Sequence, residues 1–446
     1  MNISIPEEVK SILDIFNDAH YEIYIVGGAV RDLLMGKLVN DWDFTTNATP
    51  QEILKLFPKG FYNNKFGTVG IPSSEGFDIH EITTFRTESS YKDARHPEKV
   101  EWGKSLTEDL KRRDFTINAM AVGHDKKIID LYGGEKDLSK KIIKAVGEPA
   151  ERFSEDALRM MRAIRIASQL GFTIEEATFE AIKMNAPLIN KISRERVREE
   201  LFKILSSNYP HEGVLMLKNS ALLDEILPEA SKMFGVEQKS PGRHHIYDVG
   251  THAMMALKEC RIKDPVTRFA TLIHDIGKPA TFKKLETGTI TFYNHEVVGA
   301  MIARRIAERL RFSKKDEDKL VTLVRWHQFT VNEAQTDSAI RRFIKHVGPE
   351  YVDDMIELRR ADRIGSGAKE TSWRTEDFKK RIIEVQKEPF SIKDLKINGS
   401  DIMKELNIKP GPKVGEILNN LFKEVEEKKI KNEKSVLLKE IRDLDK

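Results

Sequence analysis

A short run of β-branched and aromatic residues, YEIYIV, stops on Gly27 and Gly28, and a helical pattern takes over from about Val30. A strand that passes into a helix through glycine belongs in a sheet and opens its end to a ligand. Backbone N–H groups at such a helix start form an anion site, and glycine lets a phosphate come close to the backbone. Arg31, one turn further on, adds a charged donor. A second strand, DWDFTT, follows. Side chains alternate along a strand, so Asp41 and Asp43 point to one face and Trp42 to the other. Two carboxylates on one face repel unless a cation lies between them. Beside a phosphate-binding turn, carboxylate ligands suit Mg²⁺. A pair of such ions suits in-line displacement at phosphorus.

The rest of this opening segment alternates strands and helices. Residues 4–19 read as a helix, with Pro6 near its start and Val9, Ile12, Leu13 and Phe16 at helical spacing. GTVGIP and FDIHEITTF read as strands, and AMAVGH with KIIDLY as a late strand pair. Thr87–Trp102 is polar, lacks periodicity and reads as a loop. From Glu151 the pattern turns helical: FSEDALRMMRAIRIASQLGF reads as one helix stopped by Gly171, and ISRERVREELFKIL as another. Pro241–Arg243 breaks the chain before a helical, histidine-rich segment from His244 to about Arg363. The tail reads as a turn-rich linker leading into a charged amphipathic helix. The expected domains are an α/β head over 1–148, a helical neck and body over 149–240, a metal-binding helical domain over 241–370 and a helical tail over 371–446.

Composition narrows the class. Lys+Arg is 74 against 71 Asp+Glu, a net charge of +3, so any nucleic-acid surface must be a local patch. The single Cys260 excludes a disulfide framework and a cysteine-based zinc ribbon. No apolar run reaches the roughly 18 residues of a membrane span. The N-terminus, acidic and amphipathic, is unlike a signal peptide. The expectation is a soluble, cytoplasmic protein.

GGAVRDLLMG with NDWDFTT, then RRDFTINAMA, then SEDALRMMRAIR stand in the order found in the class II tRNA nucleotidyltransferases. These are the CCA-adding enzymes, with the bacterial poly(A) polymerases as close relatives. The resemblance covers roughly residues 20–205. It implies an α/β nucleotidyltransferase head, a mixed β-sheet with helices, followed by an all-α neck, body and HD domain. The family's metal aspartates match Asp41 and Asp43, expected to hold Mg²⁺. Its nucleotide-contacting positions match Gly28, Arg31, Arg112, Asp156, Arg159, Arg162 and Arg165. The implied activity is addition of the 3′-terminal CCA of tRNA from CTP and ATP without a nucleic-acid template. The RNA 3′-hydroxyl attacks the α-phosphorus and pyrophosphate leaves. Glu81, in HEITTF, reads either as a third carboxylate near the metals or as a solvated strand residue. The segment Thr87–Trp102 resembles the family's flexible loop, which implies addition of A as well as C.

Asp156 and Arg159, three apart on a predicted helix, share a face. Cytosine and adenine each offer an amino donor beside a ring-nitrogen acceptor, which a carboxylate beside an arginine would match. Uracil and guanine offer the reverse order and would leave buried groups unpaired. The plain alternative is an intrahelical ion pair. Arg162 stays on the flank of the pair, while Arg165 winds away toward phosphate or the neck.

A second constellation lies downstream: His252 in YDVGTHAMMA, the adjacent His274 and Asp275 in TLIHDIGK, His295, His327 and Asp362. Its order resembles the HD phosphohydrolase superfamily. Mixed imidazole and carboxylate donors suit one or two divalent ions such as Mn, Fe, Ni or Mg. His244 and His245 fall in the linker after Gly242 and read as poorer ligands. No GYP signature accompanies the set, which argues against a cyclic-dinucleotide phosphodiesterase. The resemblance implies hydrolysis of 2′,3′-cyclic phosphates or phosphate monoesters. The rival is a metal-binding body that only holds tRNA.

Other readings compete for the whole chain: an A-adding tRNA nucleotidyltransferase, a bacterial poly(A) polymerase, an HD phosphohydrolase with a nucleotide-sensing head, and a non-catalytic RNA-binding module. The paired carboxylates weigh against a sensor or a mere binder. The tail mixes Lys and Glu where a poly(A) polymerase would carry a basic extension.

Overall fold

A computed structural model describes residues 5–62, 67–73, 79–91, 97–102, 105–238, 246–329, 336–370, 373–386, 392–427 and 429–443. His244 and His245 lie outside the described residues. The chain forms two compact units. One is Met1–Gly235 with Lys263–Phe269 and Arg305–Ser313; the other is Val236–Ile262 with Ala270–Arg304 and Lys314–Lys446.

The first unit opens with nine strands: β1 (Ile23–Val26), β2 (Asp43–Thr46), β3 (Phe61–Tyr62), β4 (Thr68–Pro72), β5 (Ile79–Thr84), β6 (Arg86–Tyr91), β7 (Pro97–Trp102), β8 (Met120–Val122) and β9 (Ile128–Asp130). Seven of them form one mixed sheet in the order β3-β4-β5-β2-β1-β8-β9. β2 and β5 run parallel, and the other pairs are antiparallel. Helices Glu7–Asp18, Gly28–Leu34 and Pro50–Leu56 bury Leu13, Phe16, Val30 and Ile53 against Ile25, Phe44, Val69 and Ile82 of the sheet. Thr49 and Glu52 close a reciprocal cap on the third of these helices. At one end of the other face, Leu110 packs on Val26 and Ala121.

Thr87–Trp102, expected as a loop, is a two-stranded ribbon instead. β6 and β7 pair antiparallel, with Arg86 opposite Trp102 and Glu88 opposite Val100. Thr87, Tyr91, Val100 and Trp102 carry the β preference that a reading for polarity alone passes over. Residues 92–96 between the strands lie outside the described residues.

Past the sheet the first unit is helical. The helix expected to start before Asp156 is two helices, Pro149–Glu155 and Leu158–Leu170. Asp156 takes an extended conformation between them, at φ −142° and ψ 103°. Its carboxylate accepts from Leu158 N at 3.0 Å, so the side chain starts the second helix instead of continuing the first. That helix ends at Gly171 in the left-handed conformation, φ +69°.

The second unit carries helices Val249–Glu259, Pro265–Ile273, His295–Arg309, Lys314–Trp326, Asp337–Val347, Val352–Gly365 and Trp373–Gln386, of which the second and third also lend residues to the first unit. A small hairpin, Lys283–Lys284 with Ile290–Thr291, interrupts the segment expected to be wholly helical. The tail is more built than a linker and one helix. Helices Gly399–Glu405, Pro412–Glu426 and Lys434–Asp443 enclose a core of Ile402, Leu421, Leu437 and Ile441. Among the described residues no helix is long and apolar enough to cross a membrane.

Candidate functional sites

The first site lies where β1 ends. Val26 is the last residue of that strand, and its partner across the ladder is Asp43, the first residue of β2. On the other side of β2, Asp43 stands level with Glu81 of β5. Asp41 comes just before the strand and not on it, yet the alternation holds: Trp42 is buried, while Asp41 and Asp43 are exposed. Asp43 as a whole residue is exposed. Even so, its carboxyl is pushed up to about 6, first by desolvation and then by the charges of Glu81 and Asp41, against the pull of Arg113 and Arg162. Carboxylates crowded in this way form a donor set that fits a divalent cation.

Gly27 explains the turn. Its φ is +74°, and a Cβ there would meet Arg113 Nη1 at 3.2 Å and Asp43 Oδ2 at 3.5 Å. Arg113 and Asp43 therefore reach over the same glycine. Gly28 opens the helix that carries Arg31. The Arg31 guanidinium is already engaged, by Asp32 through two 2.9 Å bonds and by Asn118 Oδ1 at 2.8 Å.

Of the basic pair, sequence reasoning singled out Arg112, but Arg113 stands over the turn. Buried Asp109 braces both: Arg112 Nη2 donates to it at 2.6 Å and Arg113 Nη2 at 3.1 Å. Asp114, also buried, accepts from Arg162 at 2.9 and 2.5 Å and from Asn118 Nδ2 at 3.3 Å. Burial alone would raise its carboxyl, but Arg162 holds it down to about 2. Arg31, Asn118, Asp114 and Arg162 thus form one hydrogen-bonded chain from the glycine turn to the helix Leu158–Leu170. Arg165 pairs with Glu200 at 3.0 Å.

Asp156 and Arg159 are not joined to each other as an intrahelical pair. Asp156 Oδ2 accepts from Arg196 at 3.0 Å. Arg159 donates to Glu155 at 2.5 Å and to the carbonyl of Arg112 at 3.0 Å. The break in the helix gives Asp156 an extended backbone, and the two side chains take different partners. Arg196 and Glu155 gave no sequence signal, because their partners depend on how separate segments pack.

The second constellation gathers six side chains from five segments. Asp275 sits between two groups of donors. One oxygen lies 3.2 Å from His274 Nε2 and 3.7 Å from His252 Nε2, and the other lies 3.3 Å from His295 Nε2 and 3.6 Å from His327 Nε2. Asp362 closes the first group, 3.1 Å from His252 Nε2. Among the described residues, His252–His274–Asp275 and Asp275–His295–His327 are the two sets of three donors drawn within 4.8 Å of one another; Asp41, Asp43 and Glu81 are not such a set. His274, His295 and His327 each place Nδ1 2.8 Å from a backbone carbonyl three residues back, which turns Nε2 toward the cluster. Burial would raise Asp275, but His274 and Lys278 hold it well below the usual carboxylate range. Burial pushes His327 down, whereas Asp275 outweighs burial at His274 and holds it up. A central ionised carboxylate ringed by imidazoles is a donor set that fits divalent transition metals.

Small residues let these segments meet. A Cβ at Gly365, one turn past Asp362, would stand 2.6 Å from the backbone N of Ala256, one turn past His252. A Cβ at Gly277, two residues past Asp275, would stand 2.1 Å from the carbonyl oxygen of His295 and 2.7 Å from Gly299 N. These glycines were passed over in the sequence. A small residue one turn from each ligand is the signal that marks them. Over the cluster opens a cavity of about 530 Å³ whose lining includes Lys278, Tyr293, Gln328, Arg359 and Arg363.

Comparison with known proteins gives a consistent picture. Residues 23–144 match the Poly A polymerase head domain family, 171–234 the "Probable RNA and SrmB- binding site of polymerase A", and 290–441 tRNA nucleotidyltransferase domain 2. The CCA-adding enzyme of Ligilactobacillus salivarius is 36% identical over 446 residues, covering 99% of this chain and 98% of that protein. The CCA-adding enzyme of Lactobacillus helveticus is 47% identical over 222 residues, 50% of this chain and 55% of that protein. The crystal structure of the Bacillus stearothermophilus CCA-adding enzyme in complex with CTP is similar at a TM-score of 0.73 and 28% identity, covering 98% of this chain and 97% of that one.

Proposed function

Since this chain belongs to the CCA-adding enzyme family, a family of nucleotidyltransferases that use divalent metal, we propose that it adds the 3′-terminal CCA to tRNA in the cytoplasm, from CTP and ATP. The observation that carries the reading is the meeting of Asp41, Asp43 and Glu81 beside the Gly27 turn, with the Asp43 carboxyl pushed up to about 6. Asp41 and Asp43 would hold Mg²⁺, with Glu81 at hand. Bound divalent ions would supply activation of the attacking 3′-hydroxyl and neutralisation of the leaving pyrophosphate. The chain's own groups bind and orient. Arg113 presents a fixed cation over the glycine turn, where a triphosphate would lie, and Gly28 opens the helix beside it. Arg31, Arg112 and Arg162, held by Asn118, Asp109 and Asp114, would meet the nucleotide beside it. Asp156 and Arg159 would read the base once they release Arg196 and Glu155. Arg165, tied to Glu200, supports that helix.

The test uses tRNA lacking its 3′ end, with CTP and ATP supplied singly and together. CTP alone should add C residues, and both nucleotides together should complete CCA. Use of ATP but not CTP would favour an A-adding enzyme, and long tails from ATP alone a poly(A) polymerase. Asp41→Ala and Asp43→Ala should each abolish addition while tRNA binding persists.

The second constellation supports a further reading, because its six side chains converge under a cavity. His252, His274, Asp275 and Asp362 would hold one divalent ion, and Asp275, His295 and His327 a second. A phosphohydrolase acting on 2′,3′-cyclic phosphates or phosphate monoesters fits this arrangement better than a body that only holds tRNA. The double variant His274→Ala, Asp275→Ala should lose bound transition metal yet keep nucleotide addition. Unchanged metal content by elemental analysis would remove this reading.

A further inference from the structure

Tyr293 is 76% exposed and lies among the residues that line the cavity over the histidine cluster. The turn that presents it is tightly fixed. The preceding carbonyl, that of Phe292, accepts from both the backbone N–H of His295 at 3.2 Å and its Nδ1 at 2.8 Å. The following residue, Asn294, is held in the left-handed conformation at φ +60°, which costs free energy in a residue other than glycine. Its carbonyl then accepts from Val297 and Val298 at the start of the next helix. A constrained turn thus leaves an aromatic ring at the cavity without burying it.

The charges around the cavity are mostly spoken for. Lys278 lies 2.6 Å from Asp275, Arg359 lies 3.3 Å from Asp362, and Glu296 is offset by Arg325 at 3.7 Å. Arg363 differs: among the described residues it pairs with no carboxylate, and it donates to the carbonyl of Lys369 at 3.4 Å. A volume of about 530 Å³ falls inside the range of small-ligand sites, roughly 300–1,000 Å³. An exposed aromatic ring can take a base, and a guanidinium without a carboxylate partner, beside a donor set that fits divalent metals, can take its phosphate.

We infer that this cavity takes a nucleoside phosphate, with its base stacked on Tyr293 and its phosphate drawn toward Arg363 and the histidine cluster. The inference deepens the hydrolytic reading above and rests on the same cluster, but it assigns a base-stacking residue that catalysis alone does not require. The ligand chemistry is shared by free nucleotides and by RNA ends that carry a 3′-phosphate.

The experiment titrates the full chain calorimetrically with 3′-AMP, with a short RNA ending in a 3′-phosphate, and with inorganic phosphate. Tyr293→Ala should weaken 3′-AMP at least about tenfold, the scale of one base stacked on an aromatic ring. It should leave inorganic phosphate unchanged, and Tyr293→Phe should restore 3′-AMP. Arg363→Gln should weaken all three ligands. Because the head is the same in every variant, the differences report on this cavity. Tighter binding of the RNA than of 3′-AMP supports RNA ends as the source, and equal binding supports free nucleotides. Binding of 3′-AMP that ignores Tyr293→Ala, or falls together with inorganic phosphate, would overturn the proposal. Binding through Tyr293 without hydrolysis of 2′,3′-cyclic AMP or 3′-AMP in Mn²⁺ would overturn the hydrolytic reading and leave this one standing.

Discussion

Gly365→Ala should loosen the second metal-ligand cluster without touching any ligand. The added Cβ would stand 2.6 Å from Ala256 N, 2.9 Å from its Cα and 3.1 Å from its Cβ. Non-bonded carbon contacts settle at about 3.5–4.0 Å, so the helices Val249–Glu259 and Val352–Gly365 must part by roughly 1 Å. Backbone stands on the far side, and it cannot swing away as a side chain would. Overpacking of this kind costs about 1–3 kcal/mol. Alanine regains up to about 1 kcal/mol of helix propensity over glycine. The net loss of stability should therefore be modest, about 0–2 kcal/mol. The effect on ligation should be larger, because His252 and Asp362 sit one turn away on these helices, 3.1 Å apart. Metal–ligand distances tolerate only about ±0.2 Å. We expect divalent-metal affinity at the His252–His274–Asp275–Asp362 group to fall about ten- to a hundredfold, the range seen when the support of a ligand is lost. The other group, His295 and His327, should keep its ion. Titration with Mn²⁺ or Ni²⁺, followed by elemental analysis and thermal unfolding, reads both effects. Two ions bound at wild-type affinity would refute the claim that this glycine contact sets the ligand spacing.

Asp156→Ala should raise incorporation of UTP and GTP relative to CTP and ATP by about ten- to a hundredfold while total activity falls, since one polar mismatch is worth about 1–3 kcal/mol. Measuring kcat/KM for all four nucleotides on one tRNA checks this; an equal fall across the four would reduce Asp156 to a partner of Arg196. Asp109→Asn should lower kcat/KM for CTP and ATP alike, and adding Arg113→Gln should cost nothing more if Asp109 acts by bracing that arginine. Additive losses in that double-mutant cycle would separate the two residues. Asp43 in the folded chain titrates near 6, above the ordinary 3.8. A raised carboxyl binds its proton more tightly when folded, so its contribution to stability is greatest below the ordinary value and is lost as pH rises toward about 6. Below that pH a divalent ion must also displace a proton, so the Mg²⁺ needed for half-maximal addition should rise as the assay is taken from neutral pH through that value. A Mg²⁺ requirement flat with pH would contradict the crowding of Asp43.

The local patterns carried much of the outline. The alternation read from DWD put Trp42 in the core and kept Asp41 and Asp43 out of it, although the strand itself begins only at Asp43. The glycine pair marked the strand-to-helix turn for a local reason: Gly27 needs a positive φ. The histidines and aspartates of the second constellation were visible as residue types, since few other functions ask for that mixture in one helical segment.

Tertiary structure decided which groups meet. Glu81 comes level with Asp43 only because β5 lies parallel beside β2, a pairing between segments that are not consecutive in the chain. Arg113, and not its neighbour Arg112, reaches over Gly27, although buried Asp109 holds both arginines. Asp156 left its expected helix because its carboxylate found a backbone N–H and Arg196, both competitors of an intrahelical pair. The histidine cluster depends on Gly365 and Gly277 admitting backbones to within a distance that any side chain would forbid. Periodicity is a property of the nearest few residues and can be read from them. Partnership is settled by the free energy of packing whole segments together, and only the folded chain carries that information.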